Sequence, residues 1–459
     1  MIAFYWLLLA ILLTSYWLAL NHAKRNSVGL TPLLGWLVGV GYFLIVPLVV
    51  LTLHGGFKQP AVYDVNGSWD EINLANRIFF RPYLMIWLSL MLTCLVALLS
   101  DSNHSQDGVV VTGVIVRRRL ERAIVVTIML SVADWLATIW LQGGLSQFLV
   151  SHWYTRNVDL TDRFGGAFIF YTHLSLANQM VFTGAAALYA SAGLKERNMR
   201  WGFTGLIWLF LVIEMVMSGN RIFLALYLLA FVTSCWLYRR RKIMAALLLV
   251  SPAVILIFSL WASIRSNLSQ ISDSAATQAL ESDIAEGAVT RVMDVTEGSA
   301  AMLLMHMMND FGTKFAYLHG GTYARLLTAF PPGLYPNRPK NFASVAAELY
   351  EPGETTSLGS TALGEAYGNF GFAGILVMPL FTWGATRCRR FFSRAAEPHG
   401  LMSAVSFVMF LSFMVFPFDQ NVTTGILALL IILALKLEKD PDLPAQGFPR
   451  PLTLGEDSV

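Results

Sequence analysis

A chain of 459 residues in which 56% are apolar and only 13% charged is not a soluble globule, which would carry roughly a quarter charged residues. Mean hydropathy of +0.57 excludes the roughly two to four soluble domains that this length would otherwise suggest. The net charge of +3 is too small to point to a nucleic-acid partner, and Cys94, Cys235 and Cys388 stand at no spacing that suits a disulfide framework or a metal site.

The first element is the apolar run from Ile2 to Leu20. No basic residue precedes it and Lys24 and Arg25 follow it, the reverse of a cleavable signal peptide, so it is expected as a retained first span. A spanning helix needs about 20 apolar residues. Further runs of that kind fall at 29–53, 82–100, 123–142, 167–192, 201–218, 222–238, 243–263, 366–386, 400–417 and 422–437. The expected fold class is therefore an all-α polytopic integral membrane protein with about eleven transmembrane helices. Spans six and seven are separated only by Gly219, Asn220 and Arg221.

Basic residues give the orientation, because short cytoplasmic loops collect Lys and Arg. With the N-terminus outside, the inner loops hold Lys24 and Arg25; Arg117, Arg118, Arg119 and Arg122; Lys195, Arg197 and Arg200; Arg239, Arg240, Arg241 and Lys242; and Arg387, Arg389, Arg390 and Arg394. These and the C-terminal tail contain most of the 32 Lys and Arg residues. The chain then divides into helices one to eight (1–263), a large outer loop region between the eighth and ninth spans (264–365), helices nine to eleven (366–437) and a cytoplasmic tail (438–459) expected to be disordered. Within the large loop, 275–310 has helical apolar spacing at Leu280, Ile284, Val289, Val292 and Met293. Beyond it, Pro331, Pro332, Pro336 and Pro339 forbid a continuous helix.

Three segments carry candidate chemistry. The turn Ser218-Gly219-Asn220-Arg221 puts an arginine at the outer end of a helix N-terminus, where it can fork onto a phosphate or simply anchor a helix end. The stretch from Gly320-Gly321-Thr322-Tyr323 to Tyr335, Arg338, Pro339 and Lys340 is aromatic, stiffened by proline and basic at its end. It suits sugar stacking and cation presentation, or is an ordinary proline-rich loop. The run Gly364-Glu365-Ala366-Tyr367-Gly368-Asn369-Phe370-Gly371-Phe372-Ala373-Gly374 opens the ninth span. Its carboxylate could serve as a general base for a hydroxyl or as a charge favoured by the helix dipole. Asp134, His173 and Glu214 lie inside apolar runs, where an unpaired charge costs at least about 2.5–3.5 kcal/mol; structural hydrogen bonds between helices are the favoured reading for them. Arg265 continues the eighth span outward, and His152, Arg156 and Arg163 lie in an outer loop.

Together these segments resemble the bacterial Wzy-type polysaccharide polymerases, the oligosaccharide repeat-unit polymerase family. Members are similar in span count, in a large late periplasmic loop and in a Gly-x-x-Arg-like turn between two middle spans. The late-loop pattern Gly-x-x-Tyr, Phe-x-Pro…Pro-x-basic-Pro, Gly-Glu-x-Tyr-x-Asn-Phe-Gly-x-x-Gly is matched by Gly320 and Tyr323; by Phe330, Pro332, Pro336, Arg338 and Pro339; and by Gly364, Glu365, Tyr367, Asn369, Phe370, Gly371 and Gly374. The detailed resemblance covers roughly 215–375. Family members more often have lysine where Arg338 stands and a basic residue near Gly333, so one positive charge is kept and one lost.

The resemblance implies a multi-pass protein of the bacterial inner membrane, with a periplasmic N-terminus and a cytoplasmic C-terminus. It implies a glycosyltransferase that works at the periplasmic face on undecaprenyl-pyrophosphate-linked oligosaccharides and makes O-antigen, capsule or exopolysaccharide. Its partners would be those lipids, the bilayer, and a chain-length regulator and flippase of the same pathway; no cofactor or metal is implied. Arg221 and Glu365 would be catalytic, Arg221 on the pyrophosphate and Glu365 as base. Arg265, Arg338, Lys340, Tyr323, Tyr335, Tyr367 and Asn369 would bind substrate. Two other readings stay open: an O-antigen ligase-like transferase with the same donor, and a lipid-oligosaccharide flippase or transporter. A non-catalytic scaffold for polysaccharide assembly is the bland alternative.

Overall fold

The computed structural model describes residues 2–26, 29–57, 72–74, 79–101, 113–145, 148, 166–218, 221–251, 298–328, 340–350, 361–395 and 400–435. Expectations for 252–297, 329–339, 351–360 and the tail 438–459 lie outside these residues, and with them Arg265, Tyr335 and Arg338. The described residues are mainly helical, with a two-residue antiparallel ladder, Gly56–Phe57 against Ile72–Asn73, and an isolated bridge between Phe311 and Phe315.

The first helices are α1 (Ile2–Asn26), α2 (Pro32–Val40) and α3 (Val46–His54), the last two joined by a π-helical turn at Gly41–Ile45. Pro32 starts α2 where its missing N–H costs nothing, and the Thr31 hydroxyl caps the Leu34 N–H. Pro47 cannot donate to the carbonyl one turn back, and the wider π turn lies just ahead of it. There follow α4 (Phe80–Asp101), α5 (Gly113–Leu141), α6 (Gly166–Glu196), α7 (Trp201–Ser218) and α8 (Ile222–Leu237). The later part has α9 (Gly298–Asp310), the short α10 (Gly321–Ala324), α11 (Phe342–Tyr350), α12 (Ala362–Phe370), α13 (Val377–Ala395), α14 (Gly400–Ser412) and α15 (Phe418–Ala434).

Six stretches among the described residues are long and apolar enough to cross a bilayer: Ala3–Arg25, Pro32–His54, Phe80–Ser100, Arg117–Leu141, Trp201–Ser218 and Ala362–Cys388. Ile222–Leu237, Gly400–Ser412 and Phe418–Ala434 are apolar but shorter. Large apolar side chains point outward from α1, α5 and α7, among them Leu7, Trp17, Leu18, Met129, Leu136, Trp140 and Leu209. Such a surface would be an aggregation hazard in water and is the ordinary surface of a helical membrane protein.

The core centres on α14, whose Val405, Phe407, Val408, Phe410 and Leu411 are buried. Lipid tails are as apolar as leucine, so helices in a membrane associate by close backbone packing at small residues. Gly35 of α2 lies against the Phe407 backbone, Gly39 against Leu411, and Gly184 of α6 against Val405. Within the expected outer loop, α9 does not stand apart from this core: Ala301, Met302, Leu303, Leu304, Met305, Met307 and Met308 are all buried in it.

One end of the bundle gathers the basic residues. Arg117 of α5 and Arg200 ahead of α7 flank Glu121 at 3.6 and 3.3 Å, and Arg117 also donates to the Asn198 carbonyl at 2.9 Å. Lys24 at the end of α1 donates to the Trp236 carbonyl at 3.1 Å, and Arg240 donates to the Leu194 carbonyl. Four segments distant in sequence are thereby tied together at one end.

Candidate functional site

The other end holds Glu365, Asn369 and Tyr323, three of the residues that the sequence singles out. Thr361 caps α12, its hydroxyl accepting from the Gly364 N–H at 3.0 Å, and the helix runs to Phe370. Gly371 then has φ 58° and ψ −142°, a region essentially confined to glycine, with the Tyr317 ring directly beneath it. A 3-10 turn follows at Gly371–Leu376, folded so tightly that a side chain on Gly374 would meet the Ala366 carbonyl. The glycines of this run thus break the expected ninth span into two helical pieces with a turn between them.

Glu365 is fully buried on α12. Its Oε1 accepts from the Thr322 hydroxyl at 2.7 Å and its Oε2 from the Phe418 N–H, also at 2.7 Å. Asn369, one turn later, donates from Nδ2 to Thr322 Oγ1 and to the Glu365 carbonyl, each at 2.8 Å. The preceding loop is pinned to the same helix, for the Leu318 N–H donates to the Gly368 carbonyl at 3.0 Å. Glu365 and Asn369 therefore lock together three distant segments: the Gly320 turn, α12 and the first turn of α15.

Beside this lock lies a buried ion pair, Arg325 Nε to Asp419 Oδ2 at 2.5 Å, with side chains 11% and 6% exposed. Burying two charges is costly unless each holds its partner closely. Tyr323 packs between Phe370 and Phe418, at ring-centroid distances of 5.5 and 4.7 Å. Burial and the neighbouring Glu365 hold its phenol well above the usual value, so it stays a proton donor. Both the Tyr323 hydroxyl and Asp419 Oδ1 are buried without a hydrogen-bond partner among the described residues.

The remaining candidates divide. Arg221 stands at the N-terminus of α8. That helix end reaches the same region, since Phe223 lies 6.3 Å from Phe416 in the turn that leads to Asp419. Tyr367 is buried, its hydroxyl donating to the Met308 carbonyl at 3.3 Å, and Arg81 shares that acceptor at 3.2 Å. Tyr367 and Asn369 are thus packed into the scaffold. Lys340 is exposed and paired with Glu348 on α11.

Thr322, Arg325 and Asp419 belong to the cluster although the sequence did not single them out as site residues. Thr322 and Arg325 sit within or just past the Gly320–Tyr323 stretch, and Asp419 is an acid at the mouth of an apolar helix. Pairing Arg325 with Asp419 across 94 residues leaves no periodic signal. Among the described residues no group of three His, Cys, Asp or Glu is placed to hold a metal ion. Compared with protein-family models, with curated proteins and with solved structures, the chain gives no match.

Proposed function

We propose that this chain is a membrane glycosyltransferase of the Wzy type. It joins undecaprenyl-pyrophosphate-linked oligosaccharide repeat units into a polysaccharide at the periplasmic face of the inner membrane. The growing glycan is the donor and a single lipid-linked repeat unit the acceptor. A sugar hydroxyl of the acceptor attacks the anomeric carbon of the donor; the glycosidic bond forms, the bond to the diphosphate breaks, and lipid pyrophosphate leaves. That chemistry needs cations on the leaving group and a proton acceptor for the attacking hydroxyl.

The observation that carries the reading is the lock built by Glu365, Thr322, Asn369 and the Phe418 N–H, with the Arg325–Asp419 pair beside it. It lies at the end of the bundle away from the Lys24–Arg240 basic cluster. With that cluster in the cytoplasm, as the positive-inside rule favours, the lock faces the periplasm. In this reading about eleven spans carry the N-terminus outside and the C-terminus inside. Arg221, Arg265, Arg338 and Lys340 contact the diphosphate and nearby glycan, with Tyr323 and Tyr335 against the sugars. Tyr367 and Asn369 hold the site's shape.

The proton acceptor is one of two neighbouring carboxylates. Both oxygens of Glu365 already accept hydrogen bonds, whereas Asp419 keeps Oδ1 without a partner among the described residues. Glu365→Gln and Asp419→Asn separate them. The variant that removes the base loses about 10²–10⁴ in elongation rate, and the other loses much less while its midpoint of thermal unfolding falls. The test of the function itself is a gel of lipid-linked glycans from a deletion strain. Single-repeat glycans with no ladder are expected, and normal-length polymer in the deletion strain would overturn the reading.

A transporter draws support from one observation. Asp134 accepts from Ser175 at 2.7 Å, and Glu214 accepts from Gln179, both within the apolar helices α5, α6 and α7. A flippase predicts that the deletion strain keeps its lipid-linked repeat units on the cytoplasmic side, out of reach of a periplasmic glycosidase.

A further inference from the structure

We infer that the basic end of the bundle is a binding site for a phosphate-bearing anion, distinct from the proposed glycan site at the opposite end. A cavity of ≈ 480 Å³ opens there, lined by Lys24, Arg25, Lys195 and Arg239 together with Asn21 and Tyr238. Three segments far apart in sequence deliver these cations: the end of α1, the end of α6 and the C-terminal turn of α8. A second cavity of ≈ 270 Å³ adjoins it through Lys24 and Arg239 and adds Arg240 and Arg241. Among the described residues, no acidic one lines either cavity.

Lys24 and Arg240 are held by carbonyls of the fold: Lys24 by Trp236, over whose ring it also lies at 3.9 Å, and Arg240 by Leu194. Their charges are therefore fixed at the cavity wall. Arg25, Lys195 and Arg239 are exposed, and none of them is ion-paired to a carboxylate among the described residues.

Arg239 adds a second observation. It sits just past α8 with φ 53°, where its N–H donates to the Trp236 carbonyl and the Arg240 N–H reaches back to Cys235. Glycine is the usual residue at this helix-ending position, because a Cβ is strained there. An arginine gives up that ease and brings a guanidinium to the cavity. Orienting a chain in a membrane requires basic residues in the loop, but not their convergence on one hollow in a strained conformation. Like charges around an unneutralised hollow repel, and a phosphate relieves this by accepting charge-assisted, forked hydrogen bonds. Basic pockets between membrane helices recognise anionic lipid headgroups by the same chemistry.

The test uses the purified full-length protein in neutral detergent, with thermal unfolding followed after addition of phosphatidylcholine, phosphatidylglycerol or inorganic pyrophosphate. The wild type is compared with the triple variant Arg25→Gln, Lys195→Gln, Arg239→Gly. Arg239→Gly removes the cation while relieving the backbone, so the variant is expected to fold. Phosphatidylglycerol or pyrophosphate should raise the wild-type midpoint by several degrees, phosphatidylcholine should not, and the variant should lose the shift. A rise with phosphatidylglycerol alone assigns the site to a lipid headgroup; a rise with pyrophosphate assigns it to the phosphate group itself. Absence of any rise in the wild type, or equal rises in wild type and variant, overturns the proposal.

Discussion

At the scale of single residues, the candidate site rests on buried charges and the groups that compensate them. Arg325 and Asp419 are each worth little as hydrophobic packing, yet removing one leaves the other stranded. Arg325→Ala is expected to destabilise the protein by about 3–5 kcal/mol, read as a fall in the thermal midpoint in detergent. The double variant Arg325→Met, Asp419→Leu should recover most of that loss, because an apolar pair of similar volume carries no desolvation cost. A double variant no more stable than Arg325→Ala would show that the pair is not held as a buried unit. The Gly364–Gly374 run stands out in the sequence by its carboxylate and its glycines, but the Thr361 cap and the break at Gly371 are not read there, because they emerge only once the backbone path and its neighbours are known. Arg325 and Asp419 were not legible, since each looks like an ordinary boundary charge until the fold brings them within 2.5 Å.

At the scale of elements, hydropathy and structure agree where a helix stands alone. The expected runs 201–218 and 222–238 correspond to Trp201–Ser218 and Ile222–Leu237 within a residue. They diverge where backbone chemistry intervenes. The expected second span keeps its length but takes a π turn ahead of Pro47, and the ninth breaks at Gly371. The Met-rich α9 falls within the segment 264–365 expected as an outer loop, yet its Met302, Met305 and Met307 are buried. Composition alone cannot distinguish a loop helix from one that re-enters a core. Glycine packing gives the test at this scale. Gly35→Leu must push α2 off the Phe407 backbone and should lower the thermal midpoint by several degrees or prevent folding. Gly202→Ala, on α7 with nothing within 4 Å of the new methyl group, should be neutral or stabilising by up to about 1 kcal/mol. Equal effects of the two substitutions would contradict the packing described here.

At the scale of the whole molecule, two chemically different ends follow from one chain. One end is basic and tied by Lys24, Arg117, Arg200 and Arg240 to partners on other segments of the chain. The other carries the Glu365 lock and the N-terminus of α8. The proposed orientation puts the basic end in the cytoplasm, and Cys388 reports on it. Cys388 is exposed and lies beside Arg387 on α13. In a variant that keeps only this cysteine, a membrane-impermeant maleimide should label permeabilised cells and leave intact spheroplasts unlabelled. Labelling of intact spheroplasts would reverse the orientation and put the lock on the wrong side for periplasmic chemistry.

The most direct measurement of the central claim is elongation in a purified system. The wild-type protein in detergent or proteoliposomes would be given lipid-linked single-repeat glycans extracted from the deletion strain. The expected result is a ladder of longer lipid-linked glycans with release of one polyprenyl diphosphate per bond formed, abolished or strongly slowed by Arg221→Ala. A folded wild-type protein that binds these glycans but yields no ladder and no released diphosphate would contradict the proposed function.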